Sequence, residues 1–358
     1  MRVFALVIML ILAPLTGVPV SLLVVAPLSG QDQPVQSAVV GIIDFYGLRT
    51  VSEDQIRAVL GIEEGDTLHY DPLDPSGAEL KRRIVEIPGV MRAELEGVCC
   101  EAGRVVLFVG IEETPAERPE YHPQPVGELS VPTEIAETYR EFLDAAVEAL
   151  RSGDADDDLS QGHSLMQNPA ARRLQERFLV YAEHSLDTLR KVLRSSADSE
   201  QREIAAHVIG YARDKRAVVN DLQYAVLDAD DGVRNSASRA LGAIAVLATQ
   251  RPELGIEIDP DPFIDMLNSL EWTDRNKAVL VLSTLASTRD ARLLEQLRQR
   301  ALLSLIDMTR WKSSWAAGAF SILGCISGLS DDELEDAWEK GERERVIARV
   351  LRSRQPEN

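Results

Sequence analysis

The stretch Val39-Val40-Gly41-Ile42-Ile43-Asp44-Phe45-Tyr46-Gly47 is an apolar run of strand length closed by a glycine, and it opens a compact unit that extends to residue 113. After the turn, Ser52 stands as the cap of a helix in which Ile56, Val59 and Leu60 recur at i, i+3 and i+4, and the loop from Gly61 to Asp66 ends it. Asp74-Pro75 opens a second helix, with proline where its missing N–H costs nothing. Leu80, Ile84 and Ile87 form its stripe and Pro88-Gly89 its stop. Two strands follow. Val90 to Val98 alternates weakly, Cys99 to Gly103 supplies the turn, and Arg104 to Glu112 is dense enough in Val, Leu, Phe and Ile for a central strand. The expected order is β-α-α-β-β, a small α+β unit.

That order carries four marks: Phe45-x-Gly47 closing the first strand, an Ile-centred helix, Gly65-Asp66 after it, and Glu113 at the end of the last strand. Together they resemble a POTRA domain, the polypeptide-transport-associated module of bacterial envelope machines, over residues 39–113; an unrelated small α+β domain is the alternative. The resemblance implies that the unit binds a protein by accepting its strand at an exposed sheet edge. In that family the strand opening the hairpin is the edge, here Val90 to Glu96, which makes Val90, Met91, Ala93 and Leu95 candidate protein-binding residues.

Within 358 residues two or three domains are expected, and 45% hydrophobic content suffices for real cores. Only 38 Lys and Arg face 58 Asp and Glu, and the net charge of −20 argues against nucleic acid or anionic lipid as a partner. Arg2 followed by the apolar run Val3 to Leu28 reads as an export signal over residues 1–30. Cleavage near Ser29 or Gly30 is expected, with a retained membrane anchor as the alternative and membrane contact then limited to residues 1–28. Either way the chain is exported, periplasmic or anchored facing the periplasm. Cys99 and Cys100 are adjacent and Cys325 is remote, so no disulfide framework shows. A vicinal disulfide and an intermolecular bond stay open for the pair, an incidental role being favoured, and Cys325 reads as a small core residue.

Five prolines punctuate residues 114–132, which read as a stiff spacer able to hold two domains up to roughly 60 Å apart, with packing of part of it on a domain as the alternative. Residues 133–352 are expected to be helical. Asp154, Asp156 and Asp158 begin like a calcium loop, but Leu159 and Leu165 stand where glycine and a bidentate glutamate belong, so a solvated acidic loop is the better reading. Further on, Arg202-x-x-Ala205-x-x-Val208-Ile209-Gly210 recurs from Arg234 as Ala237, Ala240-Leu241-Gly242, from Arg275 as Ala278, Val281-Leu282-Ser283, and from Ala316 as Ala319, Ile322-Leu323-Gly324. The starts lie 32, 41 and 41 residues apart, which suits units of two antiparallel helices. With Asp228 to Arg234 leading into Ala237, the segment 199–325, and more loosely 133–352, resembles a HEAT-repeat α-solenoid. The recurrent arginines read as structural bridges between neighbouring loops.

No catalytic signature stands out. His69, His122, His163, His184 and His207 are scattered without metal-ligand spacing, and nucleophile elbows, Walker loops and dinucleotide glycines are missing from the sequence, so no cofactor, metal or catalytic residue is assigned. Trp311 and Trp315 share a helix face and are candidate protein-binding residues, core packing being the favoured reading. A transporter is disfavoured because no series of barrel strands follows. The expected whole is a multidomain, non-enzymatic bacterial envelope scaffold or adaptor, binding envelope or outer-membrane proteins through the sheet edge and the solenoid, in outer-membrane protein assembly or secretion. An anchored divisome-like protein and an exported enzyme with a solenoid groove are the alternatives.

Overall fold

A computed structural model describes residues 36–70, 76–114 and 119–352, so the expected export signal and the helix opening at Asp74-Pro75 lie outside the described residues. The N-terminal part is a mixed sheet with two helices: β1 (Gln36–Tyr46), α1 (Glu53–Leu60), β2 (Thr67–Tyr70), α2 (Ser76–Val85), β3 (Arg92–Glu101) and β4 (Arg104–Glu112). The sheet order is β2-β1-β4-β3, with β1 parallel to β4 and the other pairs antiparallel. Strand β2 is an addition to the expected order. At four residues it is too short to show a period, and it pairs with Gln36–Val39, which lengthens β1 upstream of the apolar run. Ser52 caps α1 in a reciprocal capping box with Gln55.

The turn marks have physical causes. Gly47 sits at φ +82°, and a Cβ there would lie 1.9 Å from the Ile111 carbonyl oxygen, so only glycine lets the chain leave β1. The Glu113 carboxylate accepts from the N–H groups of Arg49, Thr50 and Val51, at 2.6, 2.7 and 3.0 Å, and ties down the next loop. Burial opposes its ionisation, but these bonds and the Thr50 hydroxyl hold its carboxyl below the ordinary value. Cys99 and Cys100 belong to the end of β3, with the turn at Ala102-Gly103, and their sulfurs are joined as a vicinal pair; the favoured incidental reading is corrected accordingly. Cys325 is a buried free thiol.

Alternation divides the sheet between two cores. Val40, Ile43, Leu107, Val109, Ile111 and Ala93 pack under α1 and α2 with Ile56, Leu60 and Ile84. Ile42, Tyr46, Val98, Val106 and Phe108 face the other way and join the core of the helical part. Strand β4 is therefore buried on both faces along all but its first residue.

Beyond the strap at residues 119–132, the described remainder is mainly helical and includes a two-residue hairpin, β5 (Asp157–Asp158) with β6 (Leu165–Met166). Ahead of the repeats stand α3 (Thr133–Ser152) and α4 (Pro169–His184). Next come α5 (Leu186–Ser195) with α6 (Ser199–Ile209), α7 (Val219–Ala225) with α8 (Asp231–Gln250), α9 (Asp261–Met266) with α10 (Trp272–Ala286), and α11 (Ala291–Arg300) and α12 (Leu302–Thr309) with α13 (Ala316–Ser327). Two helices close the chain, α14 (Asp331–Glu339) and α15 (Arg343–Arg352). The second helices of successive units, α6, α8, α10 and α13, pack side by side in one row. Small residues permit the approach: a Cβ on Gly210 would lie 2.6 Å from the Ala240 Cβ, and one on Gly318 would lie 2.2 Å from Val279 Cγ1.

The recurrent arginines link the units. Arg202 forms a two-pronged ion pair with Asp228 and donates to the Ser196 and Ala197 carbonyls; Arg234 does the same with Asp274 and the Asp228 and Ala229 carbonyls. At the third unit the pattern meets the sheet. Arg275 still reaches the Ser269 carbonyl at 2.5 Å, but its guanidinium lies 4.5 Å from the Tyr46 ring centroid, while Asp307 receives Arg49 and the Gly47 N–H. In the fourth unit Ala316 replaces the arginine, and the loop before α13 is held by acids of the sheet. Asp44, 3% exposed, accepts from the N–H groups of Lys312 and Ser313 at 2.7 and 3.1 Å, and Glu101 accepts from that of Ser314 at 2.8 Å.

The two parts therefore abut, so the proline-rich segment does not hold them apart and its described residues pack on a domain, the alternative the sequence left open. Residues 119–132 lie as an extended strap along the helical part instead. His122 N–H donates to the Leu227 carbonyl, Gly127 exchanges bonds with Ser195 and Ala197, Val131 N–H meets the Gln201 side chain, and the Tyr121 ring lies under Arg234 at 4.0 Å. Prolines kept the segment extended, and unit-end carbonyls gave its backbone somewhere to bond.

Because Phe108 joins the sheet to the helical core, Phe108→Ala should cost about 3–5 kcal/mol of unfolding free energy in urea titration, and Asp44→Ala about 2–3 kcal/mol from the loss of two charge-assisted bonds. Far-ultraviolet circular dichroism and tryptophan fluorescence should report one coincident transition, and Val126→Ala, at a 92% exposed site, should stay within about 0.5 kcal/mol of the parent.

Candidate functional site

Strand β3 is the outer strand of the sheet at its β4 end, so the N–H and C=O groups that do not meet β4 point outward along an edge on which no further strand pairs among the described residues. Its side chains are largely engaged within the chain. Val90 and Ala93 are buried and Leu95 half-buried against the α1–α2 core, whereas Met91 is 50% exposed at the entry to the strand. Glu94 forms an ion pair with Lys81 of α2. What the edge offers a partner is therefore main chain, with Met91 beside it.

The tryptophans do not join this edge. Trp311 is 2% exposed, donates from Nε1 to the Phe45 carbonyl at 3.1 Å, and packs 4.8 Å from the Phe108 ring; Trp315 is half-buried, 5.1 Å from the Trp272 ring. Both lie in the loop between α12 and α13, so they share no helix face, which corrects that expectation; they belong to the seam between sheet and helices, and the sheet covers Trp311.

On the face turned to the helices, Glu96 accepts from the Thr273 hydroxyl at 3.2 Å. Burial, with help from Glu271, Asp231 and Glu94, raises its carboxyl to about 7 against the Thr273 bond. Beyond it, the row of α6, α8 and α10 presents a polar strip. Lys277 of α10 is 7% exposed and Arg239 of α8 opens to solvent. Burial and the neighbouring Arg239 push the Lys277 amine well down, with Glu96 opposing. Glu203 accepts from the Tyr139 hydroxyl at 2.8 Å and Asp157 from the Ser164 hydroxyl at 2.5 Å.

Sequence reasoning passed over Lys277 and Arg239, although the repeat register carried a signal. The position of Lys277 is Ile204, Ser236 and Gly318 in the other units, and that of Arg239 is His207, Leu280 and Ser321. A lysine where the other units have Ile, Ser and Gly is the departure that marks the strip.

At the other end of the strip, His207 sits among the rings of Tyr139, Phe142, Phe178 and Tyr211, at centroid distances of 5.0 to 5.4 Å. Lys215 donates to the Gly210 carbonyl at 2.7 Å and meets His163 Nδ1 at 3.2 Å, which pins the 153–168 loop to α6. The acids of that loop do not converge: Asp154 receives Asn168, and Asp158 the Ser160 N–H. Among the described residues no cluster of three or more His, Cys, Asp or Glu is placed to hold a metal ion, and no helix is long and apolar enough to cross a membrane.

Compared with models of known protein families and with curated proteins, the chain matches none.

Burial lowers His163 to about 4, aided by Lys215, and His207 to about 3, aided by Arg239, against about 6.5 in the unfolded chain. Their neutral forms thus contribute stability that is complete above about pH 6.5 and is lost as pH falls toward 4. Urea midpoints should drop over that window, and His207→Phe should remove on the order of 2 kcal/mol of the loss between pH 7 and 4.5.

Proposed function

We propose that this chain is a non-enzymatic scaffold or adaptor of a bacterial cell envelope, exported by its N-terminal apolar segment, whose β3 edge accepts a strand from a partner protein. One observation carries this reading: β3 ends its sheet with an open main-chain edge, while Ala93, Leu95 and Val98 are tied into the protein's own cores and Glu94, Glu96 and Glu101 are paired within the chain. An edge of that kind recognises extended protein segments through backbone bonds, with side-chain contacts supplying some selectivity. Met91 is the exposed apolar contact at its entry.

The POTRA-like marks of residues 39–113 and the HEAT-like spacing of residues 199–325 point the same way, toward two protein-binding modules in one chain. In this reading the sheet and the helical array act as one rigid platform, because Asp44, Tyr46, Phe108 and Glu101 seat one upon the other. A partner strand beside β3 would lie next to the polar strip, so edge and strip would serve the same partner. Envelope or outer-membrane proteins are the partners proposed.

A photo-crosslinking residue at Met91 should capture a defined partner in intact cells, and mass spectrometry of the product would also read the mature N-terminus, separating a cleaved from an anchored form. Ala93→Pro and Glu94→Pro supply the control. Antiparallel pairing turns one of these two N–H groups outward, and proline at that position should abolish capture while leaving the melting temperature within a few degrees of the parent. Capture undiminished by both substitutions would sink the edge reading.

A further inference from the structure

Lys277 and Arg239 converge between α8 and α10. Leu280 abuts Gly242, with a Cβ there only 3.2 Å from Leu280 Cγ, and Lys277 lies one turn back on the same side of α10, level with Ser238 and Arg239. The repeat register agrees: Val279 packs on Gly318, and their counterparts one unit earlier are Ser238 and Lys277.

Neither side chain forms an ion pair among the described residues. Lys277 forms no hydrogen bond or ion pair among the described residues although it is 7% exposed, and Arg239 forms a single long bond, from Nε to Asn235 Oδ1 at 3.4 Å. The acids nearby act on the pair only at longer range and each accepts a hydroxyl bond of its own: Glu96 from Thr273, Glu203 from Tyr139, Asp157 from Ser164. An unpaired buried charge is costly, and each cation here raises the cost of the other. Arginine and lysine side by side, one reached by solvent and one beneath it, offer a forked and a point donor to the same acceptor.

We propose that Arg239 and Lys277 form a binding site for an oxyanion, a carboxylate or a phosphate, entering over Arg239. Within the adaptor reading, on which only the source of a carboxylate rests, that group is an Asp or Glu of the strand added beside β3. Alternate residues of such a strand face the helices as Glu96 does, about 4.8 Å further out.

Calorimetric titration of the full chain tests this with inorganic phosphate and with two peptides, Ac-Val-Glu-Val-amide and Ac-Val-Gln-Val-amide. Phosphate or the Glu peptide should bind the parent at least about tenfold more tightly than it binds Lys277→Met or Arg239→Gln, and the Gln peptide should bind neither. Binding of phosphate alone assigns a free oxyanion, and preference for the Glu peptide assigns a protein carboxylate. Lys277→Met should also melt higher than the parent, because it removes an unpaired buried amine. Should that variant not fold, Arg239→Gln, at a solvent-exposed position, decides the matter. Absence of binding to the parent, or equal binding to parent and Arg239→Gln, overturns the site. Failure of the edge reading would look different: no partner crosslinked at Met91 while phosphate still binds.

Discussion

The structure depends on a sheet whose central strand is apolar on both faces. Strand β4 alternates Val105, Leu107, Val109 and Ile111 with Val106 and Phe108, so one set must be covered by α1 and α2 and the other by something outside the small unit. Left open, that second face would expose Phe108, Val106 and Tyr46 together. The helical array covers it through Trp272 and Trp311, which pack 5.0 and 4.8 Å from the Phe108 ring. The polar groups at the same seam are satisfied as well: the Tyr46 hydroxyl donates to the Leu270 carbonyl at 2.6 Å, and burial drives its ionisation far above the ordinary range.

That docking also accounts for where the repeat breaks. An arginine followed by an aspartate of the next unit links the first three units. In the fourth, Ala316 cannot hold the preceding loop, and Asp44 and Glu101 accept its N–H groups instead. Arg275 correspondingly turns to the Tyr46 ring. The sheet thus docks on the loops that precede α10 and α13, and the departures from the repeat mark the residues that receive it.

Electrostatics then sets the character of the strip beside the β3 edge. In a chain of net charge −20, Lys277 and Arg239 are held close together without an ion pair, while the nearest acids, Glu96, Glu203 and Asp157, accept hydroxyl bonds from Thr273, Tyr139 and Ser164. Glu96, brought against Thr273 by the same docking that buries Phe108, places the sheet edge and the strip side by side.

Local signals were legible in the sequence. Ser52 as a cap, Gly47 and Gly61, the density of β4 and the recurrence of small residues from Ala205 to Ala319 each depend on near neighbours or on a fixed period, and each produced the element it implied. Strand β2 was not legible, since its four residues become a strand only by pairing with Gln36–Val39. Nor was the course of residues 119–132, because proline dictates an extended backbone but not what that backbone lies against. Periodicity and capping act along the chain, and the sequence by itself determined those. Which face of the sheet met which helices, whether Trp311 was open or covered, and that Lys277 and Arg239 stand together without an ion pair were decided by the tertiary structure, because burial and Coulomb interactions act between residues that the chain order keeps far apart.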